Sequence, residues 1–235
     1  MQDPSKAKVL YTVGSVPMVG HVVHLCKEIG AEPVVCIIGF GREQVSAYLS
    51  STFTNVRTAV QEEQLGTAHA VQQARRALEG FDGDVLILSG DVPLLTKATT
   101  EKLIGEHRAK QAIATVLAVK LDNPTGYGRI IRSAGGSLEK IVEERDATDE
   151  ERKVQEINTG IYIFDSGVLF SVLDRIGKKN AQGEYYLTDA FELLIAQFGV
   201  GSIAVVTTQD PIEASGVNTK DQLAALEAEY LRRAH

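Results

Sequence analysis

The sequence has 235 residues, of which 44% are hydrophobic and 23% are charged, as expected for a globular domain with a sizeable core. Acidic residues outnumber lysine plus arginine by 31 to 24, and the net charge of −7 argues against a protein that binds nucleic acid. No run approaches the roughly 18 apolar residues of a membrane span. Cys26 and Cys36 lack a metal-binding spacing. We expect a soluble, cytoplasmic protein with reduced cysteines and no membrane partner.

Strand-like and helix-like patterns alternate along the first half of the chain, which predicts an α/β fold with a mostly parallel sheet. The run from Pro33 to Ile38 is apolar throughout, as in a strand buried on both faces of such a sheet. The predicted helices cover 18–29, 42–49, 67–78 and 96–109, and the predicted strands cover 33–38, 56–60, 84–89 and 113–119.

The segment Gln61–Ala70 is predicted to be a strand-to-helix turn, because it follows the strand 56–60 and precedes a helical pattern. We expect Thr67 to cap the helix and Gly66 to leave the backbone bare before it. Helix starts at the carboxyl edge of a sheet collect anionic ligands. This turn is therefore a candidate nucleotide site, with an ordinary capped helix as the alternative.

Asp91 follows the strand 84–89 within Gly90-Asp91-Val92-Pro93. An acid at the carboxyl end of a parallel strand lies where α/β folds bind ligands. Asp91 is thus the best metal-ligand candidate in the chain. A helix cap or turn aspartate is the alternative.

The second half of the chain departs from the regular alternation. A hairpin is predicted from 129–132 and 137–142 around Gly135-Gly136, after a turn in which Gly126 and Gly128 could let a sugar ring approach. We expect this β-rich lobe to be inserted in the fold. The later elements are predicted as a charged turn at 146–153, strands at 156–164 and 202–206, and helices at 167–176, 188–198 and after 219.

Seven segments in this order resemble the uridylyltransferase domain of the bacterial bifunctional N-acetylglucosamine-1-phosphate uridylyltransferase/glucosamine-1-phosphate acetyltransferases. The resemblance runs from Met1 to the last helix. The segments are Gln61–Ala70, Leu88–Leu94, Asn123–Ile130, Ile141–Glu143, Glu156–Gly160, Asn180–Asp189 and Gly216–Asn218.

The resemblance implies a Rossmann-like nucleotidyltransferase domain over 1–235, in which 1–120 mainly bind nucleotide, 121–218 mainly bind sugar and 219–235 form a terminal helix. It implies that UTP and N-acetylglucosamine 1-phosphate give UDP-N-acetylglucosamine, a cell-envelope precursor, and pyrophosphate, with a homo-oligomer possible. The implied roles are uracil recognition for Gln61 and Gly66, with Thr67 beside the nucleotide; sugar binding for Gly128, Glu143 and Asn158; Mg²⁺ ligation for Asp91 and Asn218; phosphate contact for Lys8; and catalysis for Lys8 and Asp91.

The sequence departs from the family pattern at its start. The family begins with an apolar strand and a glycine-rich loop, Leu-Ala-Ala-Gly-x-Gly-Thr-Arg-Met, that wraps the triphosphate, and Met1 matches only the last residue of that loop. Ala7 replaces the family's proline before Lys8. We expect strands beside the missing one to lack a partner, turnover to be impaired, and acetyltransferase activity to be absent from residues 1–235.

Three alternatives stay open. The sequence could belong to an enzyme that was cut or assigned an internal start. It could instead be a nucleotide-sugar-binding module without catalysis. Within the enzyme class, the alternative is a uridylyl- or thymidylyltransferase for glucose 1-phosphate, although Glu143 and Asn158 favour the amide-bearing sugar.

Overall fold

The computed structural model describes residues 6–234, so the comparison that involves Met1 lies outside the described residues. The strands of the described residues are β1 (Thr12–Val13), β2 (Val16–Pro17), β3 (Val34–Ile38), β4 (Val56–Val60), β5 (Asp84–Ile87), β6 (Ala114–Lys120), β7 (Arg129–Arg132), β8 (Leu138–Val142), β9 (Glu156–Asp165) and β10 (Ile203–Thr208). Their α-helices are α1 (Met18–Glu28), α2 (Arg42–Thr52), α3 (Thr67–Gln72), α4 (Lys97–Ala109), α5 (Asp149–Arg152), α6 (Ser166–Leu173), α7 (Asp189–Phe198) and α8 (Lys220–Ala234).

The larger sheet has the order β10-β6-β9-β7-β8, and β5 pairs with β9. β6 and β10 run parallel, whereas β9 runs antiparallel to β5, β6 and β7. The sheet is therefore mixed, as the fold class requires. The predicted lobe is part of this sheet, because the β7–β8 hairpin joins its edge through Arg129 opposite Ile157.

A separate two-stranded sheet consists of β3 and β4, which run parallel from the pair Val34–Val56 to the pair Ile38–Val60. Among the described residues, β3 pairs only with β4 and β5 pairs only with β9. The hydrophobic core is also divided between the two sheets. Beside the smaller sheet, Ile38 and Val45 pack with Val19 and Val23 in one cluster. A different cluster, with Leu117 and Ile163, underlies the larger sheet.

The gap between β3 and β5 agrees with the expectation that strands beside the missing one lack a partner. The segment Ala7–Val9 spans the gap at one edge. A Cβ on Gly41, after β3, would lie 2.8 Å from Ala7 Cβ, and a Cβ on Gly90, after β5, would lie 3.4 Å from Val9. The carboxyl ends of both strands therefore lie at this edge, and β3 and β5 run in the same direction.

Most predicted elements are confirmed within a few residues, and two predictions about the helix after Gly66 are wrong. α3 ends at Gln72 and is followed by a separate 3-10 turn, Arg75–Leu78, instead of continuing to Leu78. Thr67 does not cap α3, because Gly66 occupies the cap position and makes no side-chain bond. Within residues 6–234, no helix has the length and apolar character needed to cross a membrane.

Candidate active site

Three residues from distant parts of the sequence, Gly128, Glu143 and Asn158, meet at one end of the larger sheet. Gly128 precedes β7, Glu143 follows β8, and Asn158 lies in β9. Asn158 N donates to the carbonyl oxygen of Gly128 at 2.8 Å. A Cβ on Gly128 would lie 3.2 Å from Glu143 Oε2, so a side chain at this point would press on the Glu143 carboxylate. Strand register thus brings together the three predicted sugar-binding residues, which we call the sugar cluster.

The side chains of the sugar cluster are held by fixed polar partners. Thr188 Oγ1 donates to Glu143 Oε1 at 3.2 Å, and Asn158 Nδ2 donates to Tyr162 Oη at 2.7 Å. Asn158 Oδ1 accepts from Gly160 N at 3.1 Å. Burial is the main cause that raises the pKa of Glu143, and the carboxylates of Asp146 and Asp189 raise it further, while the bond from Thr188 lowers it. The cluster therefore offers an orientated amide beside a partly desolvated carboxyl group.

The turn before α3 is built around a glycine that no other residue could replace. Gly66 has φ +113°, and a Cβ there would lie 2.5 Å from the carbonyl oxygen of Tyr185. Ala68 N donates to that oxygen at 2.9 Å, and Tyr185 N donates to the carbonyl of Leu65 at 2.8 Å. The segment around Tyr185 therefore pairs with the turn and fixes its shape.

Gln61 and Thr67 are held at this turn by polar contacts. Gln61 Nε2 donates to the carbonyl oxygen of Gly66 at 3.1 Å and lies 3.0 Å from His69 Nδ1. Thr67 Oγ1 accepts from Leu187 N at 2.9 Å, which explains why its hydroxyl is not used as a cap. Leu187 is adjacent to Thr188, the partner of Glu143. This chain of contacts links the turn to the sugar cluster.

Lys8, Asp91 and Asn218 form a third group at the carboxyl end of β5. Lys8 Nζ donates to Asp91 Oδ2 at 2.5 Å and to Asn218 Oδ1 at 2.9 Å. The side chains of Lys8 and Asp91 are 41% and 20% exposed, so this group is open to a ligand. Val217 N donates to the carbonyl of Asp91 at 3.2 Å, which anchors the segment that carries Asn218.

The donor set of this third group suits a hard cation. Both oxygens converge on one positively charged atom, Lys8 Nζ, and so could converge on a metal ion instead. Within the described residues, no three His, Cys, Asp or Glu side chains are grouped so as to hold a metal. One carboxylate and one amide oxygen fit Mg²⁺, which usually keeps several waters and binds substrate phosphates as well.

A cavity of about 880 Å³ joins the sugar cluster to the gap between the sheets. Its lining includes Thr67, Gly128, Glu143 and Asn158 at one end and β3, β5 and α1 at the other. The structure therefore places Thr67 and the sugar cluster on one opening. Lys8, Asp91 and Asn218 are not among the residues that line the cavity, although Ser89 and Gly90, which directly precede Asp91, are.

Sequence reasoning missed two residues that support this site. It treated Thr188 only as the start of a helix and did not single out Tyr185 from its loop. Thr188 is buried and bonded to Glu143, whereas Tyr185 supplies the backbone that completes the turn. Both lie within the segment 180–189, but nothing in its local pattern indicates these contacts.

A mixed α/β sheet with polar clusters at strand ends, a bare turn and a cation beside an acid is an arrangement with which α/β proteins bind phosphorylated ligands. The family model described as nucleotidyl transferase matches residues 4–203. The chain belongs to this nucleotidyl transferase family.

Two curated relatives show which members of this family the chain resembles. The chain is 45% identical over 226 residues to the "Bifunctional protein GlmU" of Geobacillus thermodenitrificans and covers 96% of itself and 48% of that protein. It is 44% identical over 230 residues to the protein of the same name from Corynebacterium efficiens, covering 96% of itself and 47% of that protein. The chain thus spans about half the length of these relatives.

A solved structure supports the fold independently. A UDP-glucose pyrophosphorylase complexed with UDP-glucose matches with a TM-score of 0.72 over 96% of this chain and 90% of that chain. The two sequences are 16% identical, so this similarity confirms the nucleotidyltransferase fold and no more.

Proposed function

We propose that this chain is a uridylyltransferase that forms UDP-N-acetylglucosamine and pyrophosphate from UTP and N-acetylglucosamine 1-phosphate, as a step toward cell-envelope precursors. The observation that carries the proposal is the sugar cluster, in which Asn158 N donates to the carbonyl oxygen of Gly128 at 2.8 Å and the Glu143 carboxylate lies against Gly128. The 44% to 46% identity to the curated GlmU relatives supports the same activity.

The phosphate oxygen of the sugar phosphate is already an anion, so no covalent nucleophile is needed. The chain's main task is to hold the two substrates in line and to neutralise charge at the α-phosphate. Lys8 would contact the phosphates once it leaves Asp91 and Asn218. When bound by Asp91 and Asn218, Mg²⁺ would supply further positive charge for the developing transition state.

The other residues would select the substrates. Asn158 presents its amide beside the bare backbone of Gly128, where an N-acetyl group could be recognised, and Glu143 can accept from sugar hydroxyls. Gln61 would read the uracil edge next to Gly66. A partly buried amide of this kind rejects the wrong base, because binding that base would leave polar groups unpaired.

Calorimetric titration of UDP-N-acetylglucosamine and UDP-glucose tests the sugar assignment without requiring turnover. We expect the N-acetylated nucleotide to bind at least about tenfold more tightly, and Asn158→Ala to remove that preference. Glu139→Gln on the exposed side of β8 is the control and should keep it. Tighter binding of UDP-glucose would favour the alternative enzyme for glucose 1-phosphate.

Pyrophosphate release from UTP and N-acetylglucosamine 1-phosphate tests the reaction itself. We expect slow turnover, since the sheet beside Lys8 is incomplete, and a preference for UTP over CTP that Gln61→Ala relaxes. An unchanged ratio in that variant would assign Gln61 a structural role. Binding of the nucleotide sugar with no pyrophosphate release above a protein-free control would instead favour a binding module.

A further inference from the structure

The ring of His69, on α3, lies between two amide side chains. His69 Nδ1 is 3.0 Å from Gln61 Nε2, and His69 Nε2 is 3.3 Å from Gln73 Nε2. The ring also stacks on that of Tyr185, with the ring centroids 6.3 Å apart and an angle of 29° between the planes. Because Gln61 is the residue that would read the uracil, its contact with His69 bears on base selection.

The partners of the Gln61 amide determine which of its two ends is the nitrogen. The carbonyl oxygen of Gly66 can only accept, so the Gln61 atom that lies 3.1 Å from it must be the donating Nε2. The same Nε2 faces His69 Nδ1, which must therefore accept the second hydrogen of the amide group. Both donors of Gln61 are then engaged within the protein, which leaves the acceptor Oε1 for a ligand.

The ring of His69 can supply this acceptor in only one tautomer. A neutral imidazole carries one N–H and one lone pair, so its two nitrogens cannot both accept. Gln73 Nε2 has an acceptor of its own, since it donates to the carbonyl oxygen of His69 at 2.8 Å. The contact with Gln61 is also the shorter of the two ring contacts. The lone pair is therefore on Nδ1, where it accepts from Gln61.

The orientation of the Gln61 amide matters because uracil and cytosine differ at N3. Uracil N3 carries a hydrogen and can donate to Oε1, whereas cytosine N3 carries a lone pair and would place two acceptors face to face. If the amide turned over, Nε2 would face the base and would favour cytosine. In that orientation, Oε1 would lie against the carbonyl oxygen of Gly66 and the lone pair of His69 Nδ1. Both contacts therefore oppose the orientation that suits cytosine.

We propose that His69 is a positioning residue for base selection, whose Nδ1 accepts from Gln61 Nε2 and so keeps Gln61 Oε1 directed at the N3 hydrogen of uracil. This inference rests on the proposed uridylyltransferase function, in which Gln61 reads the base. His69 acts through Gln61 and not by contact with the nucleotide. Gly66 holds one hydrogen of the amide, and His69 holds the other.

Calorimetric titration of UTP and CTP in the presence of Mg²⁺ measures base selection without requiring turnover. His69→Phe keeps a ring that can stack on Tyr185 but has no acceptor, and we expect it to reduce the preference for UTP at least about tenfold. His69→Leu also lacks an acceptor and should show the same loss. His69→Asn loses the ring but carries Oδ1 on Cγ, where His69 carries Nδ1, and should retain most of the preference. Glu63→Gln, at an exposed position in the same turn, is the control.

A double variant shows whether His69 acts through Gln61. Once Gln61→Ala has removed the amide, adding His69→Phe should change the ratio of UTP to CTP affinity by no more than about twofold, because residues that act as a unit are not additive. A packing role for His69 would instead add its own effect to that of Gln61→Ala. Circular dichroism checks that each variant folds.

The outcomes separate this inference from the proposed function. If Gln61→Ala removes the preference for UTP but folded His69→Phe and His69→Leu proteins keep it, the inference is overturned and the role of Gln61 stands. Loss of the preference in His69→Asn with retention in His69→Phe would also overturn it, because the ring and not the acceptor would then matter. A preference that is absent from the unmodified protein, or that Gln61→Ala leaves unchanged, would overturn the uracil role of Gln61 and this inference with it.

Discussion

β6 and β3 are both apolar strands, yet only β6 is buried along nearly its whole length. β6 lies between β9 and β10, and six of its seven residues, from Ala114 to Val119, are buried. Among the residues that the structure describes, β3 has a single neighbouring strand, and of its five residues only Ile38 is buried. The difference shows that apolar side chains allow a strand to be buried, whereas the number of neighbouring strands determines how many of its residues are buried.

The residues of the candidate site are divided between the larger sheet and the region around the gap between β3 and β5. The sugar cluster is built by β7, β8 and β9, whose register in the larger sheet fixes it. Lys8 and Asp91 lie at the carboxyl end of β5, which borders the gap, and Gln61 follows β4, the neighbour of β3. We therefore expect the sugar cluster to be preorganised. The geometry of the group that contains Lys8 and Asp91 should instead depend on whether the gap is filled.

The largest expected difference between the two regions is in core stability. Phe164 on β9 is fully buried, and Phe164→Ala should lower the free energy of unfolding by about 3–5 kcal/mol. Val35→Ala on half-buried β3 should cost about 1 kcal/mol. Urea denaturation measures both, and equal costs would contradict the comparison.

The next largest effect is expected at the group beside the gap. Asp91→Ala should lower the rate of pyrophosphate release by about 10²–10³-fold, since it removes an oxygen that orients positive charge. The partly exposed pair with Lys8 should contribute about 1 kcal/mol or less to stability. Glu101→Ala, which removes a surface pair with Lys97, is the control and should leave the rate unchanged. A rate that withstands Asp91→Ala at saturating Mg²⁺ would rule out its catalytic role.

A smaller effect is expected at the sugar cluster. Gly128→Ala would place a methyl group 3.2 Å from Glu143 Oε2, and we expect it to weaken binding of UDP-N-acetylglucosamine by about tenfold. In Gly135→Ala, the matched control in the β7–β8 turn, the nearest atom would lie at 3.8 Å. Calorimetry should show a loss only for Gly128→Ala, and unchanged affinity would mean that the ligand does not approach this backbone.

The smallest effect is a pH dependence near the sugar cluster. Burial, followed by the charges of Glu192 and Asp146, raises the pKa of Asp189 from 3.8 to about 6. Between about pH 6 and 4, the folded state binds a proton that the unfolded state does not, so this group makes the protein more stable as the pH falls. Asp189→Asn should remove that gain and raise the melting temperature at neutral pH.

Asp149→Asn is the control for this prediction, because Asp149 also begins a helix but its side chain is 94% exposed. Its profile of melting temperature against pH should follow that of the unmodified protein. If Asp189→Asn leaves the profile equally unchanged, Asp189 does not titrate in this range.

The sequence predicted strands and helices well where the pattern that indicates them lies within a few neighbouring residues. The bounds of β4 and β7 match the predicted ones, and β8 begins one residue after its predicted start at 137. The alternation and the Gly135-Gly136 turn that predicted them lie within a few residues of each other. The Thr67 cap was predicted wrongly because the sequence does not reveal the backbone angles of Gly66. Its position depends on pairing with Tyr185, a long-range contact that no local pattern encodes.

The candidate site required more than local patterns. Gly128, Glu143 and Asn158 were grouped through the family resemblance, since only strand register brings them together. The resemblance also predicted unpaired strands, but the pairing in the structure was needed to identify them as β3 and β5. The common direction of β3 and β5 also required the tertiary structure, because it depends on the packing of Ala7 and Val9.

Amide hydrogen exchange of the free chain tests most directly the claim that one region is complete and the other open. We predict that buried amides of β6 exchange only through global unfolding, whereas amides of β3 and β5 that face the gap exchange orders of magnitude faster, through local opening or direct exposure. The β3 amides that pair with β4 provide an internal reference of intermediate protection. Protection of all β3 and β5 amides equal to that of β6 would contradict the account, because it would mean that these strands already have a neighbour on both sides.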